Sequence, residues 1–246
     1  MEEYFLNLHK DMPRQGPGNN QITQIALSMI NLSSNLKILD IGCGPGMQSL
    51  YMAKTLKNCN IIALDYYQQY LDELQNKIDI KTLKSNLELK TGSMFELTFE
   101  EESFDLIWSE GAIYIMGFER GLGEWSHFLK PNGYLAVSEI TWLSDDRPEE
   151  ITNYWLEQYP QMNTISENLK IIESQSYQII GTYTFPESAW FSHYYNPLKE
   201  RFTIIREKYS NEKIYDDIIR EEKKEIEMLE KYSQYYSYVF YVMRKL

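Results

Sequence analysis

Three glycines at alternate positions, Gly42, Gly44 and Gly46, and a carboxylate at Asp65 are the residues of this chain best suited to holding a ligand. A loop without side chains lets its backbone approach a ligand closely, and a helix beginning just after it offers unpaired N–H groups. A carboxylate at the end of the next strand can then accept hydrogen bonds from both hydroxyls of a ribose, about twenty residues being the usual separation. Alone, Asp65 would read as an ordinary polar residue at a strand end; after this loop it reads as a ribose acid. The loop has the form GxGxG, because Met47 stands where the GxGxxG loop of nicotinamide cofactors has its third glycine. Candidate proton acceptors form a second group: Glu110, Glu139, His127 and His193. His127 sits beside Phe128 and Leu129 in a helix, where packing or exposure is the simpler role. His193, in Trp190-Phe-Ser-His-Tyr-Tyr195, falls where a loop can reach over a pocket, and Glu139 ends a strand on the ligand side. Three histidines without paired spacing and no CxxC argue against a metal site, and no GxxxxGK[ST] loop is present.

Alternating elements must carry these residues. Leu36–Ile41 is a short apolar strand running into the glycine loop, followed by a helix with Leu50, Ala53 and Leu56 on one face. Further strands are expected at 60–64, closed by Asp65, at 87–91 before Gly92, at 104–108 before Glu110-Gly111, and at 134–138 after the turn Lys130-Pro-Asn-Gly133. Helices containing Leu71, Leu74 and Ile78, then Leu122, Trp125 and Leu129, lie between them. This alternation implies an α/β, doubly wound, mostly parallel sheet with helices on both faces. The last third changes character. A helix starting at Asp146-Arg-Pro148 carries Trp155, and Thr164-Ile-Ser-Glu167 is a capping box. A sixth strand spans 177–184. Asn196-Pro197 is an N-cap with proline at the first helical position, and the charged helical region after it breaks near Ser210-Asn211. Within that region the Glu/Lys run 221–231 reads as a solvated face, and a closing strand covers 235–243.

Composition narrows the function classes. Twenty-four Lys and Arg against thirty-six Asp and Glu give a net charge of −12, opposite to the basic face that nucleic acid needs. A hydrophobic share of 43% supports a sizeable core, so a disordered chain is excluded. No apolar run reaches the ~18 residues of a membrane helix. Met1-Glu-Glu-Tyr-Phe5 lacks the basic start and apolar stretch of a signal peptide, and two cysteines make no disulfide framework. The expectation is a cytoplasmic monomer or homodimer with neither a nucleic-acid nor a membrane partner. Twenty Tyr and five Trp suggest an aromatic ligand cage, but a coding bias toward Tyr, Asn, Ile and Lys accounts for them equally well.

The stretch Ile38-Leu-Asp-Ile-Gly-Cys-Gly-Pro-Gly46 resembles motif I of the class I S-adenosylmethionine-dependent methyltransferases. The likeness continues through Asp65, Gly92-Ser93-Met94, Phe104-Asp105 and Leu129-Lys-Pro-Asn-Gly133, and covers roughly residues 22–143. Pro13-Arg-Gln-Gly-Pro-Gly18, Glu110-Gly-Ala-Ile-Tyr114 and Gly117-Phe-Glu-Arg120 look like a narrower bacterial subgroup of type 11/12-like methyltransferases, loosely similar to quinone-biosynthesis enzymes.

The resemblance implies a seven-stranded Rossmann-like sheet with its last strand antiparallel, S-adenosyl-L-methionine as cofactor, and S-adenosyl-L-homocysteine as product. It implies that Gly42, Gly44 and Gly46 leave room for the methionine portion, with Cys43 contributing backbone. Asp40 holds the loop or the cofactor amino group, Asp65 accepts from the ribose, and Tyr66 packs on the adenine. Ser93 and Met94 lie by the adenine ring, the Ser93 hydroxyl or Met94 backbone replacing the family's usual acidic residue. Glu110 and Gly111 face the sulfonium end, where Glu110 either pairs with the cofactor amino group or orients the acceptor.

One domain over 1–246 is expected, comprising a lid over 1–20, a cofactor-binding core over 21–143, a helix-rich acceptor-side cap over 144–232 that includes strand six, and a closing strand over 233–246. Arg14 in the lid either meets the cofactor carboxylate or belongs to a mobile terminus that makes no contact. A second lid-like segment, 141–159, brings Trp142 and Trp155 near the end of strand five. The acceptor is a small, apolar or aromatic metabolite methylated at O, N or C, with catalytic candidates Glu110, Glu139 and His193. Trp108-Ser-Glu-Gly111 stands where nucleobase N-methylating relatives carry an Asn-Pro-Pro-Tyr-like tetrapeptide, which favours a small molecule. The rival readings are a nicotinamide-dependent oxidoreductase on the same topology, disfavoured by Met47, and a non-catalytic S-adenosylmethionine-binding module.

Overall fold

The mostly apolar run Leu36–Ile41 (β1) is buried, so its backbone N–H and C=O groups need a strand on either side. It pairs in parallel with Cys59–Asp65 (β2) and with Phe104–Glu110 (β4), and Leu87–Thr91 (β3) joins β2. The structure, a computed structural model, describes residues 2–31, 34–81 and 86–246; Met1, the first residue of the expected lid, lies outside them. The remaining strands are Leu129–Trp142 (β5), Tyr177–Thr184 (β6) and Tyr236–Lys245 (β7). The sheet order is β3-β2-β1-β4-β5-β7-β6, with β7 inserted antiparallel between β5 and β6. This is the Rossmann-like, seven-stranded arrangement that the sequence implies.

Three apolar clusters hold the sheet and its helices. On one face, Asn20–Ser28 (α2), Met47–Thr55 (α3) and Gln68–Lys81 (α4) press Ile22, Ala26, Leu50, Leu71 and Leu74 onto Ile38, Ile61 and Trp108. On the other face, Phe118–Ser126 (α5) and Ile165–Ser174 (α7) bring Leu122, Trp125 and Ile172 against Ile107, Val137 and Tyr241. Each fully buried side chain of this size contributes about 1.5–3 kcal/mol. The third cluster covers the end of the sheet near β5 and β7. There Glu2–Leu8 (α1), Glu149–Gln158 (α6), Ser188–Trp190 (α8), Asn196–Lys208 (α9) and Ile214–Tyr232 (α10) meet through Leu8, Trp190, Leu198, Tyr215 and Leu229. Trp142 and Trp155 belong to this cluster, both against Tyr236 at 6.2 and 5.1 Å between ring centroids, so they are core residues here.

Three expectations need correction. Lys130-Pro-Asn-Gly133 lies within β5, as an irregularity opposite Phe104–Leu106 with Asn132 at φ 63°; pairing to β4 resumes at Tyr134 and so absorbs the turn. Asn196 is no N-cap, because helical backbone already runs through α8 and a wider turn at Phe191–Tyr195 into α9. The run 221–231 is not wholly solvated, since Glu222 has a side chain only 12% exposed. The break near Ser210-Asn211 is present between α9 and α10, and the Thr164–Glu167 capping box is formed in both directions.

Candidate functional site

β1 ends at the glycine loop, and the end of β2 closes it from the side. The N–H groups of Gly42 and Cys43 donate to the Leu64 carbonyl at 2.9 and 3.0 Å. The N–H of Gly44 donates to Asp65 Oδ2 at 2.7 Å, and that of Tyr67 donates to Oδ1 at 2.9 Å. Asp65 therefore holds the loop while its carboxylate borders a cavity of about 390 Å³, a size ordinary for a small-ligand site. Burial pushes its carboxyl up from the usual range, opposed by the N–H groups of Tyr67, Gly44 and Tyr66. A Cβ on Gly44 would meet nothing closer than Gln15 at 3.5 Å, so the loop presents bare backbone to the cavity. Gly46 serves packing instead. A Cβ there would lie 2.4 Å from the Leu74 side chain, and at φ 76° it starts α3 from outside the cavity wall.

Asp40 is fully buried beneath the loop and does not line the cavity. It accepts a hydrogen bond from the Ser49 hydroxyl in α3, and its Oδ1 has no partner. Burial pushes the carboxyl up to about 7 against that hydrogen bond, with the Glu110 charge adding to the rise.

Arg14 and Glu110 both line the cavity, and they are bound to each other. The Arg14 guanidinium donates through Nη2 to Glu110 Oε2, while Thr23 Oγ1 and Trp108 Nε1 donate to Oε1 at 2.7 and 2.9 Å. The side chains of Arg14 and Glu110 are 6% and 0% exposed. Gly18 approaches the flat face of the guanidinium, where a Cβ would stand 2.9–3.1 Å from it. Arg14 Nη1 is buried without a hydrogen-bond partner beside the cavity, a fixed donor suited to an anionic group. The segment from Pro13 to Gly16 thus forms a wall over the glycine loop, steadied by a 3.0 Å bond from the Tyr70 hydroxyl to Gln15 Oε1.

Tyr66, Gly92, Ser93, Met94 and Gly111 also line the cavity. Tyr66 is 65% exposed, free to lie against a planar ligand. Ser93 Oγ accepts from the Phe95 N–H at 3.2 Å, and the Met94 carbonyl accepts from Trp125 Nε1 at 3.4 Å. Cys43 is buried in the wall with its thiol raised by burial, so it is an inert lining group. Glu139 and His193 lie outside this lining. Glu139 is 2% exposed in β5 with Oε2 unpartnered, and His193 is half-buried in the widened turn before α9. Sequence reasoning passed over Phe5, Gln48, Tyr67, Tyr70 and Ile115 as lining residues. Only the helical repeat Tyr67–Tyr70 just after Asp65 carried a signal for any of them. Among the described residues no group of His, Cys, Asp and Glu can hold a metal ion, and no helix is long and apolar enough to cross a membrane.

A pocket with bare loop backbone, a strand-end carboxylate, a guanidinium in its wall and an aromatic rim fits a nucleoside carrying a charged amino-acid tail. Comparisons with known proteins agree. A family model described as a methyltransferase domain matches residues 32–208. An uncharacterized protein of Haemophilus influenzae is 25% identical over 143 residues, 57% of each chain. The demethylmenaquinone methyltransferase of Lactobacillus johnsonii is 31% identical over 105 residues, 42% of this chain and 43% of that one. The chain thus matches only about half the length of these curated relatives. A solved S-adenosyl-L-homocysteine complex of a methyltransferase from Geobacter sulfurreducens superposes with a TM-score of 0.85. Its identity is 12%, with 100% of this chain and 99% of that chain covered, a likeness of fold.

Proposed function

The chain belongs to the methyltransferase domain family, and on that premise we propose that it transfers a methyl group from S-adenosyl-L-methionine to O, N or C of a small molecule with an apolar or aromatic body. The observation that carries this reading is the cavity lined together by the glycine loop, Asp65 and Arg14. When bound, S-adenosylmethionine supplies a methyl group on an already cationic sulfur, so the leaving group needs no activation and the protein's work is alignment.

In this reading Asp65 accepts from the ribose hydroxyls while still fixed by Gly44 and Tyr67. Arg14 Nη1 donates to the amino-acid carboxylate, and the Gly42–Gly44 backbone borders the methionine portion. Tyr66 covers the adenine, with Ser93 and Met94 at its edge. Residues 1–20 act as the lid, 21–143 as the cofactor-binding core, 144–232 as the acceptor-side cap and 233–246 as its closing strand. Glu110 acts on the ligand through Arg14, because its own oxygens are occupied by Arg14, Thr23 and Trp108.

Calorimetric titration of the protein with S-adenosyl-L-homocysteine and, separately, NADH tests the cofactor. Micromolar binding of the first and none of the second is expected. Binding of NADH alone would replace this reading with an oxidoreductase.

A further inference from the structure

Among the described residues eight large apolar side chains stand exposed, and five of them line the cofactor cavity. Single exposed apolar residues are ordinary, but several gathered around one concave site mark it as the place of an apolar ligand. They form two banks. Tyr66 and Phe95 follow β2 and β3 beside Asp65, where the reading above puts the adenine. Tyr114 and Ile115 follow β4, which lies across β1 from β2, and Phe5 comes from α1. This second bank leans on the helical cap. Phe5 stacks on His9 at 4.0 Å between ring centroids and His9 on Tyr194 at 6.3 Å, while the Tyr114 ring stands 6.1 Å from that of Tyr159. Tyr194 belongs to the apolar cluster of the cap, and Tyr159 packs against it.

Local structure turns these side chains outward. After β4 the chain makes a 3-10 turn over Ile113–Ile115. Side chains three apart fall on one side of such a turn, so Ile113 and Met116 enter the core together. Ile113 is held there closely, since a Cβ on Gly121 would stand 2.7 Å from it. The two residues between them, Tyr114 and Ile115, are left 42% and 52% exposed. In α1 the pair Tyr4 and Leu8, four apart, faces the cap, with Tyr4 5.2 Å from the Tyr215 ring. Phe5 and His9 form the next stripe. Arg201 donates to the Asn7 and Leu8 carbonyls at 2.7 and 3.0 Å, which fixes α1 where Phe5 meets the cavity.

Among the described residues this second bank presents no accessible charge. The charged residues of the lining are Arg14, Asp65 and Glu110. Asp65 belongs to the ribose side, and the other two bind each other with side chains 6% and 0% exposed. A charged acceptor seated here would give up its hydration and meet no opposite charge, whereas an uncharged ring would cover apolar surface that now faces water. We propose that Phe5, Tyr114 and Ile115 are the acceptor's seat and the specificity-determining residues of the reaction, and that they select a flat, uncharged, apolar molecule. The proposal rests on the methyltransferase reading above. Tyr114 and Ile115 come just after Gly111, where the resemblance places the sulfonium end, so a ring held on them lies beside the group to be transferred. The cofactor is thus read from the β2 and β3 side of the cavity, and the acceptor from the β4 and α1 side.

The test is calorimetric titration of the whole protein at pH 7, saturated with S-adenosyl-L-homocysteine, using 2-naphthol, 2-naphthoate and 2-naphthylmethylammonium. The three share a ring system and differ in charge, and the sulfur of S-adenosylhomocysteine is neutral, so any discrimination comes from the protein. 2-Naphthol is expected to bind at submillimolar concentration, and each ion more weakly by about tenfold or more. Phe5→Ala and Tyr114→Ala should each weaken 2-naphthol by about tenfold while leaving S-adenosylhomocysteine affinity within about threefold. No binding of 2-naphthol, equal binding of either ion, or unchanged 2-naphthol affinity in both variants overturns the proposal. The comparison among the three probes needs no variant, so it decides the matter even if a substitution fails to fold. Any of these results beside intact S-adenosylhomocysteine binding would sink the seat alone. Binding of 2-naphthol that both variants weaken, without any binding of S-adenosylhomocysteine, would leave the seat standing and sink the methyltransferase reading.

Discussion

Replacing Arg14 by Met, Glu110 by Gln, and both together forms a double-mutant cycle on the contact that fastens the N-terminal segment to the end of β4. Both side chains are almost wholly out of water, at 6% and 0% exposed, so each depends on the other for its counter-charge. Arg14→Met leaves a buried carboxylate with only the Thr23 hydroxyl and the Trp108 indole N–H as donors. Glu110→Gln leaves a buried guanidinium facing an amide. Removing one partner of such a pair costs about 3–5 kcal/mol, most of it the penalty of the charge left behind. The double variant strands neither charge, so its total cost should be no greater than either single one, giving a coupling of at least about 2 kcal/mol. Urea unfolding followed by far-UV circular dichroism at pH 7 measures all four proteins, provided the dependence on denaturant stays constant. Costs that add to within about 0.5 kcal/mol would refute the reasoning, since they would mean that the two groups do not sense each other.

Two further outcomes are expected. Asp65→Ala should weaken S-adenosylhomocysteine binding by about 1–3 kcal/mol, the cost of losing a charge-assisted hydrogen bond; an unchanged dissociation constant in calorimetry would mean that the ribose lies elsewhere. In the protein without ligand, Glu139 and Asp40 hold their protons to about 8 and about 7, above their unfolded values, because of burial. The folded state thus binds more protons than the unfolded one across that window. The stability these two groups contribute should therefore be greatest below about pH 4 and be lost as pH rises through 7 to 8. Glu139→Gln should flatten the upper part of the fall, as read by denaturant unfolding at pH 5 and pH 8.5, and an unaltered slope would argue against a buried carboxyl at that position.

Much of the fold was legible because β1, β2 and β4 are short, mostly apolar and closed by a glycine or an acid, as in Leu36–Ile41 before Gly42 and Cys59–Asp65 before Tyr66. The loop and Asp65 were legible for the same reason, their roles being set by backbone spacing. The start of β5 was not, because Pro131, Asn132 and Gly133 carry the local signature of a turn while β5 pairs with β4 on both sides of them, at Leu129 and again from Tyr134. The part-buried carboxylates under the cap were hidden by composition. Glu222 and Glu225 sit in a run of charges that reads as solvated, and only their place on the stripe of Ile219, Ile226 and Leu229 distinguishes them from Glu221 and Lys224. Likewise Arg14 and Glu110 are far apart in sequence, and no periodicity relates them. Their meeting depends on how α1 and α2 pack, which is a tertiary matter.

The insertion of β7 also bears on how the chain reaches this structure. β6 has hydrogen-bonded pairing only with β7, so Tyr177 waits for Lys245 across three helices, and β7 must also reach back to β5, where Arg244 pairs with Tyr134. Until then both sides of β6, which carries Tyr177, Ile179 and Tyr183, are open and able to template pairing with another chain; afterwards only its outer side is. The far side of the sheet should accordingly be the slow and aggregation-exposed stage of folding, because its contacts span the greatest loops. A protein recovered poorly from denaturant should therefore be rescued most by conditions that hasten the docking of β7, and least by those that strengthen the glycine-loop half.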